Sequence, residues 1–161
     1  MQYSLFRIRT ADTRLSRDTL RALDYRWPMP GQPNLESHPL HLGLGATATP
    51  QPEFTGEMSW YEGYGERHGG DGVEGRLVSQ HTFTENWDVW EMHPLGAEVV
   101  LALSGTVRLH QEIAGATTSL ELSAGEYAIN PPGAWHTADV VEGPTTVLFI
   151  TAGAGTEHRP R

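Results

Sequence analysis

The chain has 161 residues, a length that suits one domain with a buried core. Its formal net charge of −9 would repel nucleic-acid phosphates and anionic lipids, and the absence of cysteine excludes disulfides and thiolate metal sites. The chain contains no long apolar run and no secretory signal pattern. We therefore expect a cytoplasmic protein that binds neither nucleic acid nor membrane, and any metal ligand must be His, Asp or Glu.

The first 75 residues are predicted to form an N-terminal arm and short helices that pack on the outside of the remaining chain. A helix is predicted over residues 16–23, with Ser16 as its N-cap. The proline-rich stretch 27–52 predicts an extended arm with one edge strand near residues 41–44. Residues 55–67 predict a second helix, and the glycines that follow predict a loop.

Residues 76–161 show a different pattern, a series of short β-branched and aromatic runs divided by Gly, Pro or Asn. The pattern predicts about eight strands, and an all-β jelly-roll barrel accommodates that number. The predicted strands are RLVSQHTF, WDVWEMH, EVVLALS, TVRLHQEI, TSLELS, EYAIN, HTADV and TTVLFIT.

Four side chains in this second part are candidate metal ligands. Glu91 and His93 lie two residues apart, so a strand would place both on one face. Glu98 follows a turn-like PLGA segment and opens the next strand, while His136 follows the Pro-Gly turn of PPGAW. Imidazole and carboxylate together suit a divalent iron, manganese, nickel, cobalt or zinc ion.

Two motifs around these residues resemble those of the cupin superfamily. The first motif is matched by His93, Glu98 and Gly105, although Glu91 stands where the family usually has another ligand histidine. The second is matched from Gly125 through the PPG turn to His136. The resemblance covers residues of about 76 to 151, and it implies a cupin jelly-roll barrel, also called a double-stranded β-helix, with Glu91, His93, Glu98 and His136 as metal ligands.

The resemblance implies a single-domain metal-binding cupin, and such proteins commonly form homodimers through N-terminal strands. One interpretation is a small-molecule metalloenzyme, either an oxygenase or a Lewis-acid isomerase, cyclase or lyase. Glu91 would then be a fourth ligand or, if it does not ligate, a catalytic general base. The other interpretation is a non-catalytic barrel that binds a small metabolite and holds a structural metal or none.

The remaining histidines and the large aromatic residues are predicted to have structural or surface roles. Three histidines in the first part are predicted to be solvated, and the last histidine to be mobile. Two strand histidines and two strand arginines are weak candidates for substrate contacts, and three tryptophans are predicted to pack in the core or at the barrel rim. The solvated histidines are His38, His41 and His68, and the mobile one is His158. The weak candidates for substrate contacts are His81, His110, Arg76 and Arg108, and the tryptophans are Trp87, Trp90 and Trp135.

Overall fold

The computed structural model describes residues 32–161, and this part of the chain is an antiparallel β structure. Within it lie nine strands, one α-helix and two 3₁₀ turns. The strands are β1 (Leu40–Gly43), β2 (Thr47–Pro50), β3 (Arg76–Phe83), β4 (Val89–Met92), β5 (Glu98–Ile113), β6 (Ala116–Ser123), β7 (Tyr127–Asn130), β8 (Trp135–Thr151) and β9 (Glu157–Pro160). The helix α1 is Met58–His68, and the 3₁₀ turns are Leu44–Ala46 and Gly69–Glu74.

Two long strands, β5 and β8, run through both faces of the barrel. The first half of β5 pairs with the end of β8, and that face continues through β3, β1 and β2 on one side and β7 on the other. The second half of β5 pairs with the start of β8, and that face adds β6, β4 and β9. This arrangement is the all-β jelly roll that the strand pattern predicts.

The long strands explain why the strand count differs from the prediction. EVVLALS and TVRLHQEI form one strand, β5, which is irregular between Ser104 and Thr106. Gly105 allows this bend because its φ of +70° favours glycine and because a Cβ there would lie 2.5 Å from the carbonyl oxygen of Glu142. HTADV and TTVLFIT likewise form the single strand β8.

The core lies between the two faces of the barrel. Alternate residues of the paired strands point inward and lose nearly all contact with solvent. The buried apolar cluster consists of Val100, Ala102, Val107, Leu109, Leu122, Ala128, Ala138, Val147 and Phe149.

The first described segment extends the sheet. The strand expected near residues 41–44 is β1, and it is not an edge strand, because it lies between β2 and β3; in the sheet formed by residues 32–161, β2 comes at the end of the strand order. The helix expected over residues 55–67 is α1, which begins and ends slightly later, and the glycine-rich loop after it contains a 3₁₀ turn. The helix predicted at residues 16–23 and the start of the predicted arm lie outside the described residues.

In residues 32–161, no helix has the length and apolar character needed to cross a bilayer.

Candidate metal centre

Three strands bring the four predicted ligands to one end of the barrel. Glu91 lies on β4 and pairs directly with His136, the second residue of β8. His93 follows β4 immediately, and its carbonyl oxygen accepts a hydrogen bond of 2.9 Å from the Gly133 N–H, which ties the two motif segments together. Glu98 is the first residue of β5. Residues from both halves of the sequence pattern therefore meet at one place.

The ligand atoms lie close together. Glu98 Oε1 is 3.2 Å from His93 Nε2, and Glu98 Oε2 is 3.1 Å from His136 Nε2. One ligand atom each from Glu91, His93 and His136 also falls within 4.8 Å of the others. Adjacent ligands of an octahedral ion with bonds of about 2.1 Å lie roughly 3 Å apart, so the separations at Glu98 match those around a single transition metal.

A hydrogen bond sets the tautomer of His93. Its Nδ1 lies 2.8 Å from Thr156 Oγ1, and that hydroxyl donates its own proton to the Gly153 carbonyl at 2.9 Å. Because a hydroxyl has only one proton to give, Thr156 must accept from His93 Nδ1–H. The neutral ring then carries its lone pair on Nε2.

The tautomer of His136 follows from a similar contact. Its Nδ1 lies 3.2 Å from the Ala134 carbonyl oxygen, which can only accept a hydrogen bond. The proton is therefore on Nδ1, and the Nε2 lone pair is directed toward the centre of the cluster. His136 is fully buried.

The two Nε2 atoms fit a metal ion better than a hydrogen-bonded network. Both are buried, and among the described residues neither has a hydrogen-bond partner, because an N–H on either ring would not be aimed at the Glu98 carboxylate. Two neutral lone pairs that face a carboxylate repel it unless a cation lies between them. His93, His136 and Glu98 thus have the donor set and the directions that a divalent ion requires.

Glu98 is held in place by two further residues. Thr151 Oγ1 donates to its Oε1 at 2.6 Å, and Asn130 Nδ2 donates to its Oε2 at 3.0 Å. Gln111 in turn donates to Asn130 Oδ1 at 2.6 Å. Burial acts to raise the pKa of Glu98, but the imidazoles of His136 and His93 outweigh it and hold that pKa well below its usual range. Glu98 is therefore an ionised, oriented carboxylate.

The charge of Glu98 also acts on His136. Burial acts to lower the pKa of this imidazole, while Glu98 raises it, and the net direction is upward. Protons and a metal ion would therefore compete for the same Nε2 atom.

Glu91 is the most accessible of the four candidates. Its side chain is 30% exposed, its Oε1 is 3.9 Å from His93 Nε2, and the same oxygen is 3.4 Å from His158 Nε2. His158 lies on β9, where the Glu91 carboxylate raises its pKa. The prediction that His158 is mobile is wrong, because β9 pairs along its length with β4.

A cavity of about 960 Å³ opens beside this cluster. Glu91, His93 and Glu98 contribute to its floor, and the remaining walls come from α1, β3, the segment after β3 and the segment that leads into β9. The site therefore has room for an organic molecule of ordinary metabolite size.

A second polar group lines the same cavity. His41 Nε2 lies 2.8 Å from Asp71 Oδ2, so the ring donates there, and its Nδ1 accepts from the Tyr64 hydroxyl at 2.7 Å. His41 is only 2% exposed, which makes the prediction of a solvated side chain wrong. Gly43 and Gly75 leave the space that this Asp71–His41–Tyr64 chain occupies, since a Cβ on either would collide with it.

The other predicted residues divide between the cavity and the outer surface. His68 is half-buried, stacks on His41 and lines the cavity, as His81 also does. His110 instead binds Ser119 and Asp139 on the outside of the barrel.

The tryptophans and one strand arginine have structural contacts. Trp87 packs on the core, which confirms the packing prediction for it, and also lines the cavity. Trp90 and Trp135 pack against Arg159, and Arg108 is an exposed residue that pairs with Glu121.

Comparisons with known proteins add little at the sequence level. No family model matches the chain, and no curated protein matches it. Among solved structures, oxalate oxidase is 16% identical with a TM-score of 0.44, and the match covers 50% of this chain and 44% of that one. A cupin-2 domain protein from Shewanella frigidimarina is 20% identical with a TM-score of 0.40, covering 53% and 71%. Hydroquinone 1,2-dioxygenase from Sphingomonas sp. TTNP3 is 18% identical with a TM-score of 0.39, covering 47% and 59%.

Each of these likenesses covers about half of this chain, and the matched segment spans less than half of the oxalate oxidase chain. The fold class follows from the chain's own features: the shared long strands, the bend at Gly105 and the turn at Gly133 that delivers His136. The described part of this protein is an all-β jelly-roll barrel, a fold that hosts many different activities.

Proposed function

We propose that this protein is a metal-dependent enzyme that acts on a small organic molecule. The supporting observation is the pair of buried Nε2 atoms of His93 and His136, both unpartnered within the described residues and both within 3.2 Å of the ionised Glu98 carboxylate. Glu91 lines the cavity, and one of its oxygens lies within 4.8 Å of a ligand atom of His93 and of His136, so it would supply a fourth ligand. The ion would be iron, manganese, nickel, cobalt or zinc.

When bound, such an ion would act as a Lewis acid on a chelating substrate or, if it is iron, would support an oxygenation. The protein's residues then have separable roles. Glu98, His93 and His136 hold the ion, and Asn130 and Thr151 orient the carboxylate of Glu98.

Glu91 would have one of two roles, metal ligand or general base. As a ligand it would supply the second negative charge that balances a divalent ion. As a general base it would take a substrate proton, and the partly exposed His158, 3.4 Å away, would carry that proton on to solvent.

The Asp71–His41–Tyr64 chain favours catalysis over simple binding. Tyr64 lines the cavity, and if its oxygen takes a proton from a substrate, its own proton can pass to His41 Nδ1 while Asp71 stabilises the resulting imidazolium. A binding protein has no need of such a proton-relay chain. The alternative, a metabolite-binding barrel without catalysis, is supported by the large cavity alone.

Elemental analysis of untagged protein tests the metal centre. We expect about one equivalent of a transition metal per chain, lost in His93→Ala and in His136→Ala. His110→Ala is the matched control, because His110 binds Ser119 and Asp139 away from the cavity and its loss should leave the metal content unchanged.

If the wild type holds no metal and takes up none of the five ions when they are added, the metalloenzyme proposal is wrong. Finding iron would favour the oxygenase, and zinc, nickel, cobalt or manganese the isomerase, cyclase or lyase.

We also propose that the protein is a cytoplasmic homodimer. The support for a dimer is the pair of exposed apolar side chains Leu42 and Leu44, which lie at the end of β1 and just after it. Light scattering coupled to size-exclusion chromatography measures the mass directly. A monomer at micromolar concentration would contradict the dimer.

A further inference from the structure

The cavity beside the metal centre has one wall made of aromatic rings. His81 and Phe83 lie on β3, Phe149 lies on the neighbouring strand β8, and Trp87 follows β3. Successive ring centroids are 5.2 to 6.3 Å apart, with the planes tilted by 42° to 83°. These four residues, the aromatic wall, are in ring contact with one another and all line the cavity, although Phe149 is itself largely buried in the core. Rings in such an arrangement can pack edge-on or tilted against a planar ligand.

Three titratable side chains of the cavity lining, His81, Tyr61 and Tyr64, are uncharged at neutral pH. Burial lowers the pKa of His81, so its imidazole is neutral. Burial, and second to it the negative charge of Glu91, raises the pKa of Tyr61 to about 12. Burial, and second to it Asp71, raises the pKa of Tyr64 to about 12. A charged ligand group would find no compensation from any of these three side chains.

Carboxylates are the main charged groups that line the cavity, and His158, 3.4 Å from Glu91, lines it beside them. Glu91 and Glu98 would balance a divalent ion, which leaves the three exposed carboxylates Glu62, Glu85 and Asp88 on the cavity lining. Their field disfavours the entry of an anion.

We propose that the ligand of this site is an uncharged aromatic compound with one or two hydroxyl groups. Its oxygen would reach the metal, and its ring would lie against the aromatic wall. This inference rests on the proposed metal centre for the oxygen contact and on the wall itself for the ring contact. The volume of about 960 Å³ is also much larger than a small dicarboxylate would fill.

Two chelators distinguish a site for an uncharged aromatic ligand from a site for a small anion. Catechol is aromatic and uncharged at neutral pH, whereas oxalate is a small dianion that chelates divalent ions readily in water. Protein loaded with cobalt(II) would be titrated with each, and binding followed by calorimetry and by the visible absorption of the cobalt. We expect catechol to bind at least about tenfold more tightly than oxalate.

The aromatic wall is tested with a matched pair of variants. Phe83→Leu should weaken catechol binding about five- to tenfold and leave oxalate binding unchanged, because a ring contact is removed. Tyr127→Leu, which changes an exposed aromatic residue outside the cavity, should alter neither. Circular dichroism and metal content confirm that both variants are folded and loaded.

The contribution of the aromatic wall can be measured without the metal. For this, the protein is stripped with EDTA and the catechol titration is repeated, with tryptophan fluorescence as the readout. Weaker but saturable binding that Phe83→Leu abolishes supports the inference even if no metal can be loaded. Tighter binding of oxalate to metal-loaded protein overturns the inference and leaves the metal centre standing. An absence of saturable catechol binding to both forms overturns it as well.

Discussion

At the scale of single residues, the hydroxyl of Thr156 controls which nitrogen of His93 can bind a metal. It accepts a hydrogen bond from the His93 Nδ1–H at 2.8 Å and donates one to the Gly153 carbonyl oxygen. The Nε2 lone pair of His93 is therefore kept free. Residues that orient a ligand in this way contribute to affinity without touching the ion.

Replacing this threonine should weaken metal binding and leave the barrel folded. We expect Thr156→Val to raise the metal dissociation constant about 10- to 100-fold, since the valine offers no acceptor to Nδ1. Competition with a chromophoric chelator measures the change. Thr118→Val on the exposed face of β6 is the control. Wild-type affinity in Thr156→Val would show that the contact does not orient His93.

The sequence predicts part of this site for a simple geometric reason. The two-residue period of a strand puts Glu91 beside His93, and a short hairpin returns Glu98 to the same end. The structure places Glu98 3.2 Å from His93, as that pattern requires. Whether the four residues hold an ion stays a prediction.

Other parts of the site carry no local signal. Thr156 lies 63 residues from His93, and His41 lies 30 residues from Asp71. No periodicity connects such distant positions, and a histidine in a proline-rich segment looks solvated until its partners are known. Only the pairing of β1 with β3 and the packing of α1 reveal the buried chain.

At the scale of elements, β9 pairs with β4 beside the candidate metal centre and is held in place by Arg159. The guanidinium lies 4.4 Å from the ring centroid of Trp135 and 5.2 Å from that of Trp90, and it pairs with Glu112 at 2.7 Å. Two cation–π contacts and an ion pair therefore hold one short strand.

Removing these contacts should loosen β9. We expect Arg159→Ala to lower the free energy of unfolding by about 1 kcal/mol, because the two cation–π contacts and the ion pair are all partly exposed. Urea unfolding measures the loss, and hydrogen exchange at residues 157–160 should quicken. Arg108→Ala, which removes an exposed ion pair alone, should have a smaller effect. Equal effects of the two changes would refute a special role for the aromatic contacts.

The strand boundaries illustrate what pattern alone misses at this scale. A glycine between two β-rich runs is typical of a turn, and Gly105 does have a positive φ. Here the chain bends without reversing, so β5 continues from one face of the barrel to the other. Local sequence cannot distinguish a bulge from a hairpin, because both require the same backbone freedom.

At the scale of the whole molecule, the Asp71–His41 pair links stability to pH. The hydrogen bond from His41 is the main reason why the pKa of Asp71 lies below its ordinary value of 3.8. A carboxyl group whose pKa is lower in the folded state stabilises the fold where it is charged. This contribution is present above the ordinary pKa and is lost as the pH falls through the folded-state value.

Removing the charge of the Asp71 carboxylate should therefore lower the stability of the fold at neutral pH but not in acid. We expect Asp71→Asn to lower the midpoint of thermal unfolding at pH 7, with the gap to wild type closing as the pH falls below 3.8. Scanning calorimetry across the pH range measures it. The exposed Asp88→Asn should show no such convergence. A gap that is constant with pH would mean that the pair contributes no charge-dependent stability.

The long strands that span both faces also imply an order of folding. Partners in the β5–β8 ladder are 23 residues apart at Glu112 and Trp135 and 53 residues apart at Glu98 and Thr151. Loop closure is about 0.7 kcal/mol less costly at the near end, so zippering should start there and advance toward Glu98. The carboxylate at the centre of the candidate metal site would then be among the last groups to reach its place, so the site would be completed late in folding.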